Sequence, residues 1–310
     1  MNFIEGTSYI SRSVRSRLRG FPNKKVLVLE GGGMRGIFTV GVLQAFTEHG
    51  FNPWKLIIGA SAGALNGIVY AANQIHIARD AFFSELTCGH FIRISNIFRP
   101  EKHILNLDWM TDYIISGDEP LNIKRLRTMA CPVLLAATRF FRDAPPDILF
   151  LNSKTDNLSD AMKATAAMPF FYRGFVPYGK DLLIDGGVLD AIPFEKALEM
   201  GFEEKDILVV LTRPKGYRKY TDSFWVNMLY ETYYRDEQYS FLLSALQGHY
   251  DAYNRKLDKL ERHHSIDVIY PPRHFKINRL SKNEQKIVEG FEQGVSAAKS
   301  YLHKKHIRHE

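Results

Sequence analysis

Apolar residues along this chain come in short unbroken runs, set apart by glycine-rich turns and by stretches of helical period. Residues 25–30 (KVLVLE), 55–58, 132–138 (PVLLAAT), 148–152, 181–184 (DLLI) and 206–212 (DILVVLT) read as strands. Such continuous runs suit strands covered on both faces. Between the first two, residues 36–49 place Ile37, Val40, Val42, Leu43 and Phe46 on one helical face, with Gly50 positioned to end the helix. Further helices are predicted over about 62–73, 77–86, 108–115, 158–168 and 193–200. Strands alternating with helices indicate βα units, hence an α/β fold with a mainly parallel sheet and helices on both faces. The strand at 181–184 is expected to run parallel with the others.

After Thr212 the pattern changes. Residues 221–262 read as helical and aromatic, with Tyr230, Tyr233, Tyr234, Tyr239, Phe241, Tyr250 and Tyr253 among them, followed by a short strand at 267–270 and a helix over 281–302. With no internal repeat and no long linker, the reading is one continuous body in three parts. These are a basic N-terminal arm (1–24), an α/β domain (25–212) and a mostly helical C-terminal extension (213–310) packed on it. Residues 56–78 carry no charge, but Gly59, Gly63, Asn66, Gly67, Asn73, Gln74 and His76 split them into strand, turn and helix rather than a membrane span.

Composition adds modest constraints. The 310 residues are 45% hydrophobic, enough for a sizeable core. Two cysteines, Cys88 and Cys131, have no metal-ligand spacing and fit a reducing, cytoplasmic compartment. The formal net charge of +7 favours an anionic surface, such as phospholipid headgroups or nucleic acid, and is equally compatible with a solvated basic exterior. The first residues hold Arg12, Arg15, Arg17 and Arg19 without a long apolar core, so they do not read as a secretory signal. They form an arm that rests either on a membrane or on the domain.

Three motifs carry chemistry. Gly31, Gly33 and Gly36 satisfy G-x-G-x-x-G between a strand and a helix, the setting of a phosphate-binding turn. A dinucleotide fold needs an acidic residue at the end of the second strand, and here that strand runs into GASAG; a P-loop needs Lys where Ile37 stands. An oxyanion hole is the remaining chemical use, with Gly32 and Gly33 N–H groups at a helix start. Gly59-Ala60-Ser61-Ala62-Gly63 matches G-x-S-x-G at a strand-to-helix corner, which exposes a serine hydroxyl. Asp185-Gly186-Gly187 ends the DLLI strand and offers a base for that serine. The rival is a Ser-His-Asp triad drawing on His249, His263, His264 or His274. Only one strand precedes the elbow, however, and these histidines read as surface residues.

These motifs, in order and with Ala164-Thr165-Ala166-Ala167-Met168-Pro169-Phe170-Phe171 before the last, resemble those of patatin-like phospholipases. The resemblance covers residues 25–212; beyond Thr212 the chain is similar to the C-terminal extension of some bacterial members. It implies a three-layer α/β/α sandwich and acyl-ester hydrolysis by a dyad, with Ser61 as nucleophile and Asp185 as general base. It implies an oxyanion loop of Gly31, Gly32, Gly33, Arg35 and Gly36, braced by Gly59, Gly63, Gly186 and Gly187. Arg35 either holds an anionic headgroup, orients the loop or is simply solvated. The implied substrate is a lipid or acyl ester, with peripheral contact to anionic membrane, no nucleic-acid partner, no metal and no cofactor. Phe82, Phe83, Phe91, Ile92, Ile94, Ile97, Phe98 and the aromatic helices are candidates for an acyl channel or lid, or for plain core. A lipid-binding module without turnover, and a nucleotide-binding domain, are the alternatives.

Overall fold

The computed structural model describes residues 24–87, 89–99, 101–220 and 224–307. The basic N-terminal arm, apart from Lys24, and Cys88 therefore lie outside the described residues. Strands β1 (Val26–Leu29), β2 (Leu56–Ala60), β3 (Val133–Phe140), β7 (Ile207–Val210) and β8 (Asp267–Ile269) form the parallel part of one sheet, in the order β3-β2-β1-β7-β8. Strands β4 (Asp147–Asn152), β5 (Val176–Tyr178) and β6 (Asp181–Asp185) complete it in antiparallel fashion.

The orientation of β6 corrects the sequence reading. It pairs antiparallel with β3, Ala137 opposite Asp185, and not parallel as the βα alternation suggested. The cause is β5, a short strand that the sequence reading missed, which turns the chain back just before β6. β4 occupies one edge of β3 across Leu134–Arg139, so β2 and β6 must share the other edge. β2 climbs it as far as Ala60, opposite Ala136; β6 descends it and stops at Asp185, opposite Ala137. The carboxyl ends of the two strands meet head to head.

Because side chains alternate across a strand, β1 divides its four buried residues between two layers. Leu27 and Leu29 join the larger core with α1 (Gly36–Glu48), α2 (Ala62–Ala71), α3 (Ile75–Asp80), α4 (Leu107–Ser116) and α6 (Leu158–Ala166). Val26 and Val28 face α7 (Phe194–Glu199) and α9 (Ser240–Arg262), the latter through Tyr253, Leu257 and Leu260. This is the expected helix–sheet–helix sandwich. Sequence periodicity also missed α5 (Ile123–Thr128), and it read as regular helix the stretch after α3 that winds into a π turn over Ala81–Glu85. The aromatic stretch resolves into α8 (Phe224–Tyr233) and α9.

The last helix, α10 (Glu284–Ile307), lies against the first. They touch backbone to backbone: a Cβ on Gly294 would sit 2.1 Å from the Phe38 carbonyl oxygen, and one on Gly41 2.1 Å from that of Phe291. Ile287, Phe291, Ala298 and Leu302 of α10 enter the same core as Ile37 and Phe38.

Gly294→Val forces these helices apart and should lower the unfolding free energy by about 1–3 kcal/mol or more, read from the urea midpoint at constant m. Gly248→Ala, in α9 with open space around the added methyl, should instead raise it by up to about 1 kcal/mol. Equal shifts for the two substitutions would contradict this packing.

Candidate active site

Ser61 sits at the corner between β2 and α2 with φ 52° and ψ −131°, a conformation that a side chain adopts only under strain. The corner is tight because α2 starts against the end of β1: a Cβ on Gly63 would lie 2.4 Å from the Leu29 carbonyl oxygen. Thr165, fully buried near the end of α6, fastens the turn. Its hydroxyl accepts the Ser61 N–H at 3.0 Å and donates to the Ala136 carbonyl at 2.6 Å. One side chain thus ties the elbow to the rung of β3 where β2 ends.

Asp185 arrives from the other direction. Its N–H donates to the Ala167 carbonyl at 3.0 Å, its own carbonyl accepts from the Thr138 hydroxyl at 2.9 Å, and its Oδ1 accepts the Gly187 N–H at 2.6 Å. Ser61 and Asp185 line the same cavity, at strand ends that occupy adjacent rungs of β3. Burial raises the carboxyl's pKa above its ordinary value, against the opposing pull of the Gly187 hydrogen bond and of the neighbouring Ser61, Arg279 and Lys219.

The glycine loop lies beside this pair: a Cβ on Gly31 would stand 3.2 Å from that of Ser61. Most of the loop's amides are committed. Gly31 N–H donates to the Ala191 carbonyl, Met34 N–H to the Arg279 carbonyl at 3.1 Å, and Arg35 N–H to the Gly32 carbonyl. The Gly32 and Gly33 N–H groups have no acceptor among the described residues. Gly33 takes φ +56°, and the Arg279 carbonyl packed 2.7 Å from where its Cβ would be leaves no space for a side chain.

Beneath the loop, Glu30 is buried and satisfied by the Thr212 N–H at 2.5 Å and the Tyr253 hydroxyl at 2.7 Å. Arg35 is not a solvated arginine: it is 2% exposed, with Nε directed at the Thr212 hydroxyl at 3.4 Å and Nη1 unpartnered. Desolvation, with Arg279 and Arg213 nearby, pulls its pKa down to about 9. Gly36 begins α1, where its carbonyl accepts from Asn66 of α2 at 3.0 Å.

These groups line one open cavity. Ser61, Asp185, Gly31–Gly33, Gly187, Arg35, Lys219 and Arg279 form its polar end. Leu65, Val69, Phe82, Leu86, Phe91 and Met110 belong to an apolar arm. Of the residues proposed for an acyl channel, Phe82 and Phe91 line it; Phe83 and Ile92 pack into the core; Ile94, Ile97 and Phe98 are exposed. Gly59 and Gly186 brace the two strand ends from behind and do not line the cavity.

His249 is a correction. Read as a surface residue, it is buried, lines the cavity, and has its pKa lowered to about 4, chiefly by desolvation. The reason is the helical face it shares with Leu242, Leu246 and Tyr253, which packs inward. Its Nδ1 is engaged by the Leu246 carbonyl. His263 pairs with Glu204 at the surface, and His264 and His274 are exposed. Thr165, Lys219, Glu30 and Arg279 were given no role from sequence. Thr165 lies inside the ATAAMP segment, and the two cations carry no motif at all.

The model of the family described as "Patatin-like phospholipase" matches residues 27–198. A domain of unknown function (DUF6363) matches residues 239–305. Uncharacterized protein YjjU of Escherichia coli (strain K12) is 34% identical over 83% of this chain and 71% of its own length. An uncharacterized NTE family protein of Mycobacterium tuberculosis (strain ATCC 25618 / H37Rv) is 29% identical over 57% of this chain, which spans 46% of that protein. Among solved structures, VipD from Legionella pneumophila superposes with TM-score 0.52 over 91% of this chain and 67% of its own, at 13% identity, a likeness of fold.

Thr165→Val leaves the Ser61 N–H and the Ala136 carbonyl without this partner. It should lower the unfolding free energy by about 1–3 kcal/mol in denaturant titration, while Thr165→Ser stays close to wild type. Equal losses for both would show that the hydroxyl bridge is not what holds the elbow.

Proposed function

The chain belongs to the patatin-like phospholipase family and is a hydrolase of lipid esters; from that premise we propose that Ser61 is its nucleophile and Asp185 its general base. Gly32 and Gly33 are the oxyanion donors in this reading. The observation that carries it is that β2 and β6 end on adjacent rungs of one edge of β3, with Ser61 and Asp185 lining the same cavity.

An ordinary carboxylate, with a pKa of about 3.9, accepts a serine proton poorly. Burial makes Asp185 a stronger base, and transfer straight from the serine hydroxyl to the carboxylate needs no intervening histidine. As Oγ of Ser61 attacks the ester carbonyl, Asp185 takes its proton, and the carbonyl oxygen becomes an oxyanion before the two free glycine amides. Each such donor contributes about 2.7–4 kcal/mol by analogy with measured oxyanion holes. Collapse of the tetrahedral intermediate expels the alcohol, which recovers the proton from Asp185. Water then attacks the acyl-enzyme, Asp185 removes its proton, and the fatty acid leaves as Ser61 is reprotonated. The apolar arm of the cavity supports an acyl chain as the group held on Ser61.

Contact with a membrane enters through the turn Ile94–Phe98. Ile94, Ile97 and Phe98 are 55%, 41% and 88% exposed, and Arg93, Arg99 and Lys102 flank them with Glu101 as the one acid. The base of this excursion is the bridge between Ile92 and Leu105, next to Phe91; both Phe91 and Leu105 line the apolar arm. Arg173 pins the turn through the Asn96 and Lys102 carbonyls. An apolar tip with a basic rim suits an anionic bilayer, and seating it there brings the cavity's acyl arm to the lipid. Among the described residues no helix is long and apolar enough to cross a membrane.

Ser61→Ala and Asp185→Asn should each lower kcat/KM by about a thousandfold or more across phospholipid, lysophospholipid and neutral-ester substrates, and fluorophosphonate labelling should vanish in Ser61→Ala. Because only the ionised carboxylate accepts the proton, activity is lost as pH falls through the raised pKa of Asp185. The acid limb of kcat/KM should therefore lie above the ordinary value of about 3.9. Full esterase activity in Ser61→Ala, or no ester cleaved by the wild type, sinks the reading.

Phe98→Ser should reduce co-sedimentation with phosphatidylglycerol-containing vesicles by about tenfold, while turnover of a soluble short-chain ester stays at the wild-type rate. Unchanged sedimentation would place the membrane contact elsewhere.

A further inference from the structure

The polar end of the cavity holds more cations than its own acids neutralise, and most of them come from beyond the span that the phospholipase family covers. Lys219 follows that span, and Arg279 lies within the stretch matched only by a domain of unknown function. Lys219 is buried with its ammonium 3.8 Å from the centre of the Tyr253 ring and 5.1 Å from that of Tyr250, and it forms no ion pair with a described residue. The Arg279 main chain braces the glycine loop, while the only polar contact of its guanidinium among the described residues is the Met168 sulfur at 3.9 Å. Arg35, deep in the same wall, has Nη1 buried and unpartnered.

The two carboxylates nearby are already satisfied. Glu30 accepts from Thr212 and Tyr253, and Asp185 from Gly187. Three basic groups beside two committed acids make a desolvated wall that carries its full positive charge only when an anion joins it. The effect is visible in Lys219, whose pKa burial and the Arg279 charge bring down to about 6. An anion seated among these groups would reverse that depression.

We propose that Lys219 and Arg279, with Arg35 behind them, form the headgroup subsite of the enzyme, which takes the phosphate of a phospholipid while the ester lies at Ser61 and the acyl chain fills the apolar arm. Guanidinium and ammonium donors aimed into one desolvated pocket recognise a phosphate through charge-assisted hydrogen bonds. The residues beyond the phospholipase span thereby acquire a role: they select lipids that carry a phosphate over neutral glycerides. The inference rests on the reading of Ser61 as nucleophile.

Binding to the catalytically disabled Ser61→Ala protein tests it without turnover. Calorimetric titration with dihexanoyl-phosphatidylglycerol below its micelle concentration should give an affinity about tenfold or more above that of dihexanoylglycerol, which lacks the phosphate. Adding Lys219→Met or Arg279→Gln should abolish the preference, and Arg279→Lys should restore part of it. Inorganic phosphate should compete only weakly; competition at the affinity of the lipid would identify a free-phosphate site and overturn the headgroup assignment. Equal binding of the two lipids would overturn it also, as would a preference that survives both substitutions. If the cations serve only to keep Asp185 ionised, Lys219→Met and Arg279→Gln in the Ser61 background will move the acid limb of kcat/KM upward with the lipid preference intact, and the proposal fails. Ester hydrolysis by Ser61→Ala itself would instead refute the nucleophile, whatever the binding data show.

Discussion

The geometry of this molecule hangs on the edge of β3 where two strands end against each other. β2 stops at Ala60 opposite Ala136, β6 stops at Asp185 opposite Ala137, and there is no residue of β3 between them. A backbone ladder thereby fixes the distance between two side chains far apart in sequence, without either needing a long flexible arm. The junction would leave buried amide and carbonyl groups exposed to each other's desolvation if nothing filled it. Thr165, Ala167 and Thr138 fill it, each with one hydrogen bond or two to the strand ends. Such complete satisfaction is what lets a strained residue such as Ser61 persist in a buried corner.

Burial is the second determinant, because one desolvated environment acts on every ionisable group in the cavity. It raises the carboxyl of Asp185 and lowers Arg35, Lys219 and His249. For the proposed base the shift assists proton transfer. For the cations it creates an affinity for negative charge that water would otherwise quench. Apolar lining and polar chemistry are therefore not separate features of the pocket. Leu65, Phe82 and their neighbours exclude the water whose absence gives the charged end its strength.

Much of this was legible in the chain. Unbroken runs such as VLVL and KLII marked the parallel strands, since strands covered on both faces have no polar face to display. The three glycine motifs drew attention because each glycine answers a steric demand local to its turn. The direction of β6 was not legible, because it is decided by β5, three residues with no periodicity to read. Nor was the inward place of His249, which depends on what α9 packs against and not on α9 alone. Lys219 and Arg279 sit in loops, where spacing carries no signal; only the folded chain brings them to the glycine turn.

The bond from the Met34 N–H to the Arg279 carbonyl has a consequence for how the protein comes to be. The chain is made from its amino end, so the glycine loop, the serine corner and both strand ends leave the ribosome well before the residue that braces them. Until α10 has emerged and docked on α1, the loop lacks the carbonyl that packs against Gly33, and the cavity lacks part of its cationic wall. This is a contact of high sequence separation, among the last to close in folding. The loop is thus completed only once residues far downstream have folded back onto it, and a nascent fragment that already carries Ser61 and Asp185 holds the pair without the finished cradle around it.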